Sequence, residues 1–358
     1  MTDSDANDDP DVPPQHKRRP RYVGTHPRRF GEKYKELAPE RYPELTEHVR
    51  GRGRTPAGQH VPIMVGEVLA ALAPKPGERG VDGTLGFGGH AQNLLAALAP
   101  GGRLLGLDVD PLELPKTEAR LRALGHDEHA LLVRRSNFAG LGKALTQAGW
   151  SDGVDFFFVD LGMSSMQIDD PARGFSFKVD GPLDMRMNPA YGSSAAQWLA
   201  SVSVEKLSGV LTGNADEPHG LLIAEALVAR ARSPQGAPGT TVELADAIRA
   251  ALAHTCSEHD VERSVRRVFQ ALRIQVNDEL GALTALLSQL PSWLRPGGRA
   301  AVLSFHSGED RRVKAAFRSG AREGVWAAVS DKVIRASHAE QRDNPRSSSA
   351  KLRWAQRA

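Results

Sequence analysis

A glycine-rich segment and a well-spaced acidic residue are the first features of this chain that could do chemistry. Residues 82–90 read DGTLGFGGH and follow a short apolar stretch, and Asp108 ends the next apolar run. Glycine lets backbone approach a ligand closely, and a carboxylate at this distance can accept hydrogen bonds from ribose hydroxyls. The pattern Gly86-x-Gly88-x-x-Ala91 with Asp108 therefore indicates an adenosine-containing ligand: NAD, FAD or S-adenosylmethionine. A tight structural turn is the alternative explanation of the glycines.

Two further candidate residues follow later apolar runs. Asp160 comes directly after the run 154–159, which is apolar except for Asp155, and Phe138 follows the run 131–135. In open α/β sheets the ligand crevice lies at the carboxyl ends of the strands, and an unpaired buried carboxylate is costly. We therefore expect Asp160 at the ligand and Phe138 against an adenine ring. Capping of the next turn is the alternative role for Asp160, and core packing is the alternative for Phe138.

The elements that must position these residues alternate between apolar runs and helical patterns. Pro and Gly turns separate them, as between 100 and 102 and between 296 and 298. Such alternation predicts an α/β fold with a parallel, doubly wound sheet. The predicted strands lie at 80–81, 103–107, 131–135, 154–159, 299–305 and 351–354, and the predicted helices at 64–72, 91–98, 115–124, 141–148 and 311–317.

The alternation stops in the middle of the chain and returns near its end. Helical stretches at 194–211, 219–232 and 241–253 follow one another without strands, and a long helix is predicted over 261–290. We therefore predict a helical insertion at 165–275. The two parts of the α/β domain are then 56–164 and 276–358, and residues 1–55 form a basic, flexible N-terminal extension rich in Arg and Pro.

Composition limits the class of protein. The chain has 358 residues, of which 40% are hydrophobic and 25% charged, as in ordinary globular proteins. Its one cysteine, Cys256, excludes an internal disulfide framework and a cysteine-cluster metal site, and we expect no catalytic metal. The sequence contains no apolar run of about 18 residues, so no membrane helix is predicted. The acidic N-terminus is unlike a secretory signal. We expect a cytoplasmic protein.

Charge is unevenly distributed around a net value of +3. Residues 12–54 hold twelve Lys and Arg against five acidic residues, and residues 311–358 hold twelve against four. Basic ends on an acidic body can neutralise phosphates and attract a polyanion such as nucleic acid. A solvated tail that keeps the protein soluble is the alternative explanation.

Several longer strings resemble one known family. They include DGTLGFGGH, LDVDP, the segment GFSFKVDGPLDMRMN at 174–188, FQALRIQVNDEL at 269–280 and NPRSSSAKLR. Together, from about 60 to 357, they are similar to the bacterial small-subunit (16S) ribosomal RNA cytosine-N4-methyltransferases. The resemblance implies a class I (Rossmann-like) methyltransferase fold, in which the helical insertion at 165–275 serves substrate recognition, and S-adenosyl-L-methionine as methyl donor. It also implies a 16S rRNA substrate, methylated at the N4 of a cytidine near the decoding centre.

The resemblance also implies a set of cofactor-binding residues. Asp108, Phe138 and Asp160 are candidates on their own evidence, whereas Gln167 comes from the resemblance alone. The chain departs from the family pattern at several positions, for example at Gly308, where a leucine is usual. Most of these departures lie in the part expected to face RNA. The cofactor contacts are expected at Gly88, Gly89, His90, Asp108, Phe138, Asp160 and Gln167.

The expected reaction needs an acceptor for the N4 hydrogens, because the N4 lone pair of cytosine is delocalised into the ring. A positioned acceptor would localise that lone pair during attack. Our hypothesis is that Asp160 anchors the site and is that acceptor, with Ser164, Asp184 or His306 completing it. His306 could take up a proton, or it could merely precede a helix capped by Ser307-x-x-Asp310.

RNA contacts are expected in two places. Arg266, Gln270, Arg273 and Asn277 fall on one face of the long helix, either as phosphate ligands or as a solvated face. The segment 181–187, which contains Asp184 and Arg186, is expected in the base pocket, since the target base must leave its stack to react.

Two other functions are compatible with the same motifs. A nicotinamide-dependent dehydrogenase would use the glycine pattern and Asp108, but it gives no reason for the basic ends. A non-catalytic RNA-binding or ribosome-assembly factor with a vestigial cofactor pocket would explain the charge. The expected partner is 16S rRNA or the small ribosomal subunit, without a membrane, and the sequence allows a monomer or a homodimer.

Overall fold

The structure, a computed structural model, describes residues 62–358. The predicted extension at 1–55 and the first residues of the predicted α/β domain lie outside this described part.

A seven-stranded sheet forms the centre of the molecule and confirms the predicted α/β class. Its strand order is β3-β2-β1-β4-β5-β7-β6, in which β1 to β5 run parallel and β7 runs antiparallel to both of its neighbours. This is the doubly wound arrangement of Rossmann-like folds, ending in the antiparallel pair β6 and β7. The strands are β1 (Arg79–Asp82), β2 (Arg103–Asp108), β3 (Leu131–Arg135), β4 (Val154–Asp160), β5 (Leu294–Ser304), β6 (Trp326–Val329) and β7 (Lys351–Arg357).

Helices cover both faces of the sheet, which explains the continuous apolar run 156–159 in β4. Phe156 and Phe158 pack into one hydrophobic cluster, whereas Phe157 and Val159 pack into another. Alternate residues of a strand point to opposite faces, so a strand buried on both sides is apolar throughout. The flanking helices are α1 (Val65–Leu72), α2 (Gly89–Leu98), α3 (Leu114–Ala123), α4 (Leu141–Gln147), α11 (Glu279–Trp293) and α12 (Ser307–Arg322).

The middle of the chain is helical and has a hydrophobic core of its own. Buried residues from Phe175 to Leu272 form one cluster separate from the two at the sheet. This separate core supports our proposed division into an insertion at 165–275 and an α/β domain. The helices are α5 (Ser165–Asp169), α6 (Ala195–Ser201), α7 (Val204–Ala215), α8 (Gly220–Arg232), α9 (Thr241–Leu252) and α10 (Glu258–Asn277).

Two predicted helices are each divided in the structure. The stretch 194–211 is interrupted at Val202 and Ser203, where the Ser203 side chain caps the following helix by accepting the N–H of Lys206. The long helix 261–290 is interrupted at Asp278, whose φ of 47° is left-handed. A residue in that conformation ends an α-helix, and Asp tolerates it better than most residues.

One segment near the C-terminus has more structure than its polar sequence indicates. A short helix, α13 (His338–Asp343), is followed by a 3₁₀ turn at Pro345–Ser349. Ser337 caps α13 through the N–H of Glu340, and Asn344 caps the turn through the N–H of Arg346. Side-chain caps of this kind satisfy the backbone groups at the start of a helix.

Candidate active site

A large cavity of about 1490 Å³ opens at the carboxyl ends of the parallel strands. Its wall includes the glycine-rich loop after β1 and the residues that follow β2, β3, β4 and β5. This is the position at which open α/β sheets bind ligands. The volume exceeds that of a usual small-molecule pocket and leaves room for a nucleoside beside a second ligand.

The glycine-rich loop adopts a conformation that few other residues could adopt. Gly86 and Gly88 have φ angles of +48° and +84°, and Gly88 is the residue before the first turn of α2. The N–H of Gly86 donates to Asp108 Oδ2 at 2.8 Å, and the N–H of Asp110 donates to Asp108 Oδ1 at 2.9 Å. The loop and the end of β2 therefore hold each other in place. Gly88, Gly89 and Asp108 all line the cavity, as does Phe138 at the start of a 3₁₀ turn.

Three carboxyl groups converge at this edge of the sheet. Asp82, at the end of β1, is fully buried, and its Oδ2 has no hydrogen-bond partner in the described part of the chain. Burial raises the pKa of Asp82 well above its usual value, and the charges of Asp160 and Asp108 add to the rise. Burial also raises the pKa of Asp108. A cationic ligand bound beside these carboxyl groups would compensate their negative charge.

Asp160 faces the cavity beside a neutral histidine. Burial, and secondarily the carboxylate of Glu309, raise its pKa to about 7. Its Oδ1 is buried without a hydrogen-bond partner among residues 62–358, and its N–H donates to Thr84 Oγ1 at 2.7 Å. The nearest histidine nitrogen, His90 Nε2, lies 3.8 Å from Asp160 Oδ2. Burial lowers the pKa of His90 to about 4, so its ring is uncharged near neutrality.

His306 also lines the wall, after β5, the strand that pairs with β4. Its Nε2 is 3.2 Å from Glu309 Oε1, and Glu309 Oε2 accepts the backbone N–H groups of Phe305 and His306. The predicted cap at Ser307-x-x-Asp310 is wrong by one residue, since α12 starts after His306 and Glu309 is its third residue. Asp310 instead binds Arg353 on β7 at 2.6 Å.

Ser164 and Gln167 lie at the cavity, but their polar atoms already have partners. Ser164 accepts the N–H of Gln167, whose Oε1 accepts the N–H of Ser164, so the two form the cap of α5. Gln167 Nε2 donates to Asp110 Oδ2 at 2.7 Å. Both residues therefore orient the chain after Asp160. The sequence alone does not reveal this role for Gln167.

A buried ion pair that sequence reasoning missed ties the cofactor side of the cavity to the insertion. Arg173 Nη1 lies 2.8 Å from Asp110 Oδ2, and both side chains are nearly inaccessible to solvent. Arg173 Nη2 also donates to the carbonyls of Arg186 and Met187. The only sequence signal is the second acid of LDVDP, two residues after Asp108.

The segment 183–188 is held in a strained conformation at the cavity. Met185 has a φ of +62°, and its N–H donates to the carbonyl of Arg173. Asn277 accepts the N–H of Met187 at 2.7 Å and donates to the carbonyl of Met185 at 2.7 Å. Non-glycine residues with such φ angles persist where the surroundings enforce them, often at ligand sites. Met187 lines the cavity.

The six residues predicted to contact RNA or the target base fall into different environments. Asp184 and Arg186 pair with each other at 2.6 Å, and neither belongs to the cavity wall. Arg273 lines the cavity together with Gln270 and Asn277, but Glu279 binds its guanidinium through two hydrogen bonds. Arg266 is exposed on α10 and lies outside the cavity.

The described chain offers neither a metal cluster nor a membrane span. Within residues 62–358, no group of three or more His, Cys, Asp and Glu side chains is placed to hold a metal ion. No helix of that part is long and apolar enough to cross a bilayer.

Comparison with known proteins identifies the family. The model of the MraW methylase family matches residues 57–358. This chain belongs to that family.

Two curated relatives agree with this assignment to the MraW family. Ribosomal RNA small subunit methyltransferase H 1 of Lachnoclostridium phytofermentans is 47% identical over 349 residues, with 96% of this chain and 94% of the relative covered. The protein of the same name from Agathobacter rectalis is 47% identical over 348 residues, with 96% and 98% covered. A solved rRNA methylase from Streptococcus thermophilus is similar with a TM-score of 0.38 and 11% identity over 82% of this chain and 94% of that one.

This MraW family member is a methyltransferase that uses S-adenosylmethionine. The residues present fit such a ligand, because it carries positive charge on its sulfur and on its amino group. The buried, unpartnered oxygens of Asp82 and Asp160 and the raised pKa values of the three carboxyl groups are what a cationic ligand would compensate.

Proposed function

We propose that this protein transfers a methyl group from S-adenosylmethionine to the exocyclic N4 of a cytidine in 16S ribosomal RNA, near the decoding centre. The observation that carries the proposal is the convergence of Asp82, Asp108 and Asp160 beside a cavity that has room for two ligands. The names of the relatives, which specify small-subunit ribosomal RNA, supply the substrate class.

The cofactor would lie along the carboxyl ends of β1, β2 and β4. When bound, it supplies an electrophilic methyl group on a positively charged sulfur. We assign the ribose hydroxyls to Asp108, the adenine face to Phe138, and close backbone contact to Gly88 and Gly89. Gln167 would act by holding Asp110, which in turn fixes Asp108 through the N–H of Asp110.

Asp160 is proposed as the acceptor for the hydrogens of the N4 amine. Its unpartnered Oδ1 can accept a hydrogen bond only weakly when the carboxyl group is protonated, so the ionised form is the active one. Neutral His90 beside it leaves the acceptor strength of Asp160 undiminished. After methyl transfer the amine must lose one proton, and Asp160 can take it because its pKa lies near 7.

Two further residues complete the proposed site. His306, whose ring is oriented by Glu309, would contact the substrate or pass the released proton toward solvent. Ser164 would act through the cap of α5, since its hydroxyl accepts the N–H of Gln167 and thereby fixes the chain after Asp160.

The proposed RNA-binding residues divide by their surroundings. Exposed Arg266 would contact a phosphate directly. Arg273, Asp184 and Arg186 are already paired, so we assign them the positioning of the cavity wall and of segment 183–188.

Mass mapping of rRNA tests this function. Ribosomal RNA from cells with and without the gene is digested and compared, and a single N4-methylcytidine in 16S rRNA is expected only in the former. Purified protein is then supplied with naked 16S rRNA and with small subunits, the two partners that the proposal names for this cytoplasmic enzyme. An unchanged cytidine methylation pattern would refute the proposal.

A further inference from the structure

A short segment with many exposed residues forms part of the cavity wall near its mouth. This segment, here called the rim segment, consists of α13 and the following 3₁₀ turn, residues 338–349. It contributes several residues to the cavity wall: Glu340, Arg342, Asp343, Asn344, Arg346 and Ser349.

The rim segment is attached on both sides of the mouth. Glu340 Oε1 accepts the N–H of Met64 at 2.7 Å, which connects the segment to the start of α1. At the other end, Arg346 Nη2 lies 3.6 Å from Asp169 Oδ2, at the end of α5. The segment is therefore fixed between the start of α1 and the end of α5, in the wall of the cavity that also contains Asp160.

Charge distinguishes the rim segment from the rest of the cavity. Among the described residues, the wall outside the rim segment has five acidic side chains against one arginine, whereas the rim segment adds two acidic side chains and two arginines. The acidic part of the wall would repel a polyanion. Of the three arginines that line the described wall, Arg273 is held by Glu279 at 2.7 Å and is largely buried. Arg342 and Arg346 are exposed, and Arg346, with 51% of its side chain accessible, makes the longer 3.6 Å contact with Asp169. These two are four positions apart, and both lie at the mouth.

We propose that Arg342 and Arg346 bind the phosphates that flank the methylated cytidine and hold the RNA strand over the acidic cavity. Exposed arginines suit this task because guanidinium groups bind phosphate through paired hydrogen bonds. The inference rests on the proposed function, because it assigns the backbone contacts of the same RNA substrate. In this role the two arginines position the RNA for the reaction and do not contact the reacting atoms.

The test compares two double variants of the full chain. Arg342→Gln with Arg346→Gln removes the proposed contacts, and Arg318→Gln with Arg322→Gln removes the same charge from exposed positions of α12 outside the cavity. Each phosphate contact to a single strand contributes about 0.7 to the salt slope of binding. The first variant should lower that slope by about 1.4 and weaken 16S rRNA binding about tenfold at physiological salt.

Three further measurements separate the explanations. The dissociation constant of S-adenosylmethionine should stay unchanged, and the KM for RNA should rise more than kcat falls. Arg342→Lys with Arg346→Lys, which keeps the charge, should restore most of the salt slope. Urea unfolding confirms that each variant is folded.

The outcomes distinguish this inference from the proposed function. Equal RNA affinity and salt slope for the two glutamine variants would overturn the inference alone, as would weaker cofactor binding with unchanged RNA binding. Wild-type protein that does not methylate 16S rRNA at N4 would refute the proposed function and this inference together.

Discussion

Replacement of Arg173 by methionine should destabilise the protein more than any surface change of equal size. Arg173 is 7% exposed, and the Asp110 carboxylate that it binds is 1% exposed. The replacement leaves that carboxylate buried without its cation, and it removes the donor to the carbonyls of Arg186 and Met187. The Gln167 amide and the N–H of Leu112 would remain as partners of Asp110.

The expected magnitude follows from this burial. Removing one partner of a buried ion pair costs about 3–5 kcal/mol, because the remaining charge stays out of water. Removing both partners in Asp110→Leu with Arg173→Met should recover a large part of that loss. Lys116→Met is the matched control, since Lys116 is 62% exposed and pairs with Glu113 on the same helix. That exposed pair is worth only about 0.3–0.5 kcal/mol.

Urea unfolding of the four proteins, followed by circular dichroism, measures these differences. We expect the order wild type and Lys116→Met, then the double variant, then Arg173→Met. Arg173→Met within about 1 kcal/mol of wild type would refute the reasoning, because Asp110 would then not depend on this buried cation.

The remaining predictions concern the catalytic groups. Asp160→Asn should lower kcat about 100-fold or more, as removal of a preorganised acceptor or donor does, and a loss below tenfold would contradict the acceptor role. Since the pKa of Asp160 is about 7 and its ionised form is active, wild-type kcat/KM should rise with pH around that value, whereas the variant should show no such rise. Gly88→Ala should cost about 1–2 kcal/mol of unfolding free energy because φ is +84°. Gly209→Ala, inside α7 with open space around it, should cost nothing in the same urea titration.

The strands and the residues at their ends could be predicted from sequence because strand burial leaves a local signal. The run 156–159 is apolar throughout since both faces of β4 are covered, and β3 is found at the predicted residues 131–135. Asp108, Phe138 and Asp160 line the cavity because carboxyl ends of parallel strands share one edge.

What sequence could not provide depends on contacts between distant parts of the chain. Arg173 and Asp110 are 63 positions apart, and no local pattern pairs them. The break at Asp278 is invisible to periodicity, because the apolar positions of the two helices continue almost in phase. The rim segment has a polar composition typical of loops, and its position follows from contacts such as that of Glu340 with Met64.

The central claim is that the cavity holds the methyl donor next to an extruded cytidine whose amine faces Asp160. A single-turnover reaction with methyl-labelled S-adenosylmethionine and 16S rRNA, followed by nucleoside analysis, tests it most directly. We predict that the label appears in N4-methylcytidine and that Asp160→Asn slows its appearance about 100-fold. Label in another nucleoside, no label in RNA, or a wild-type rate for Asp160→Asn would contradict the claim.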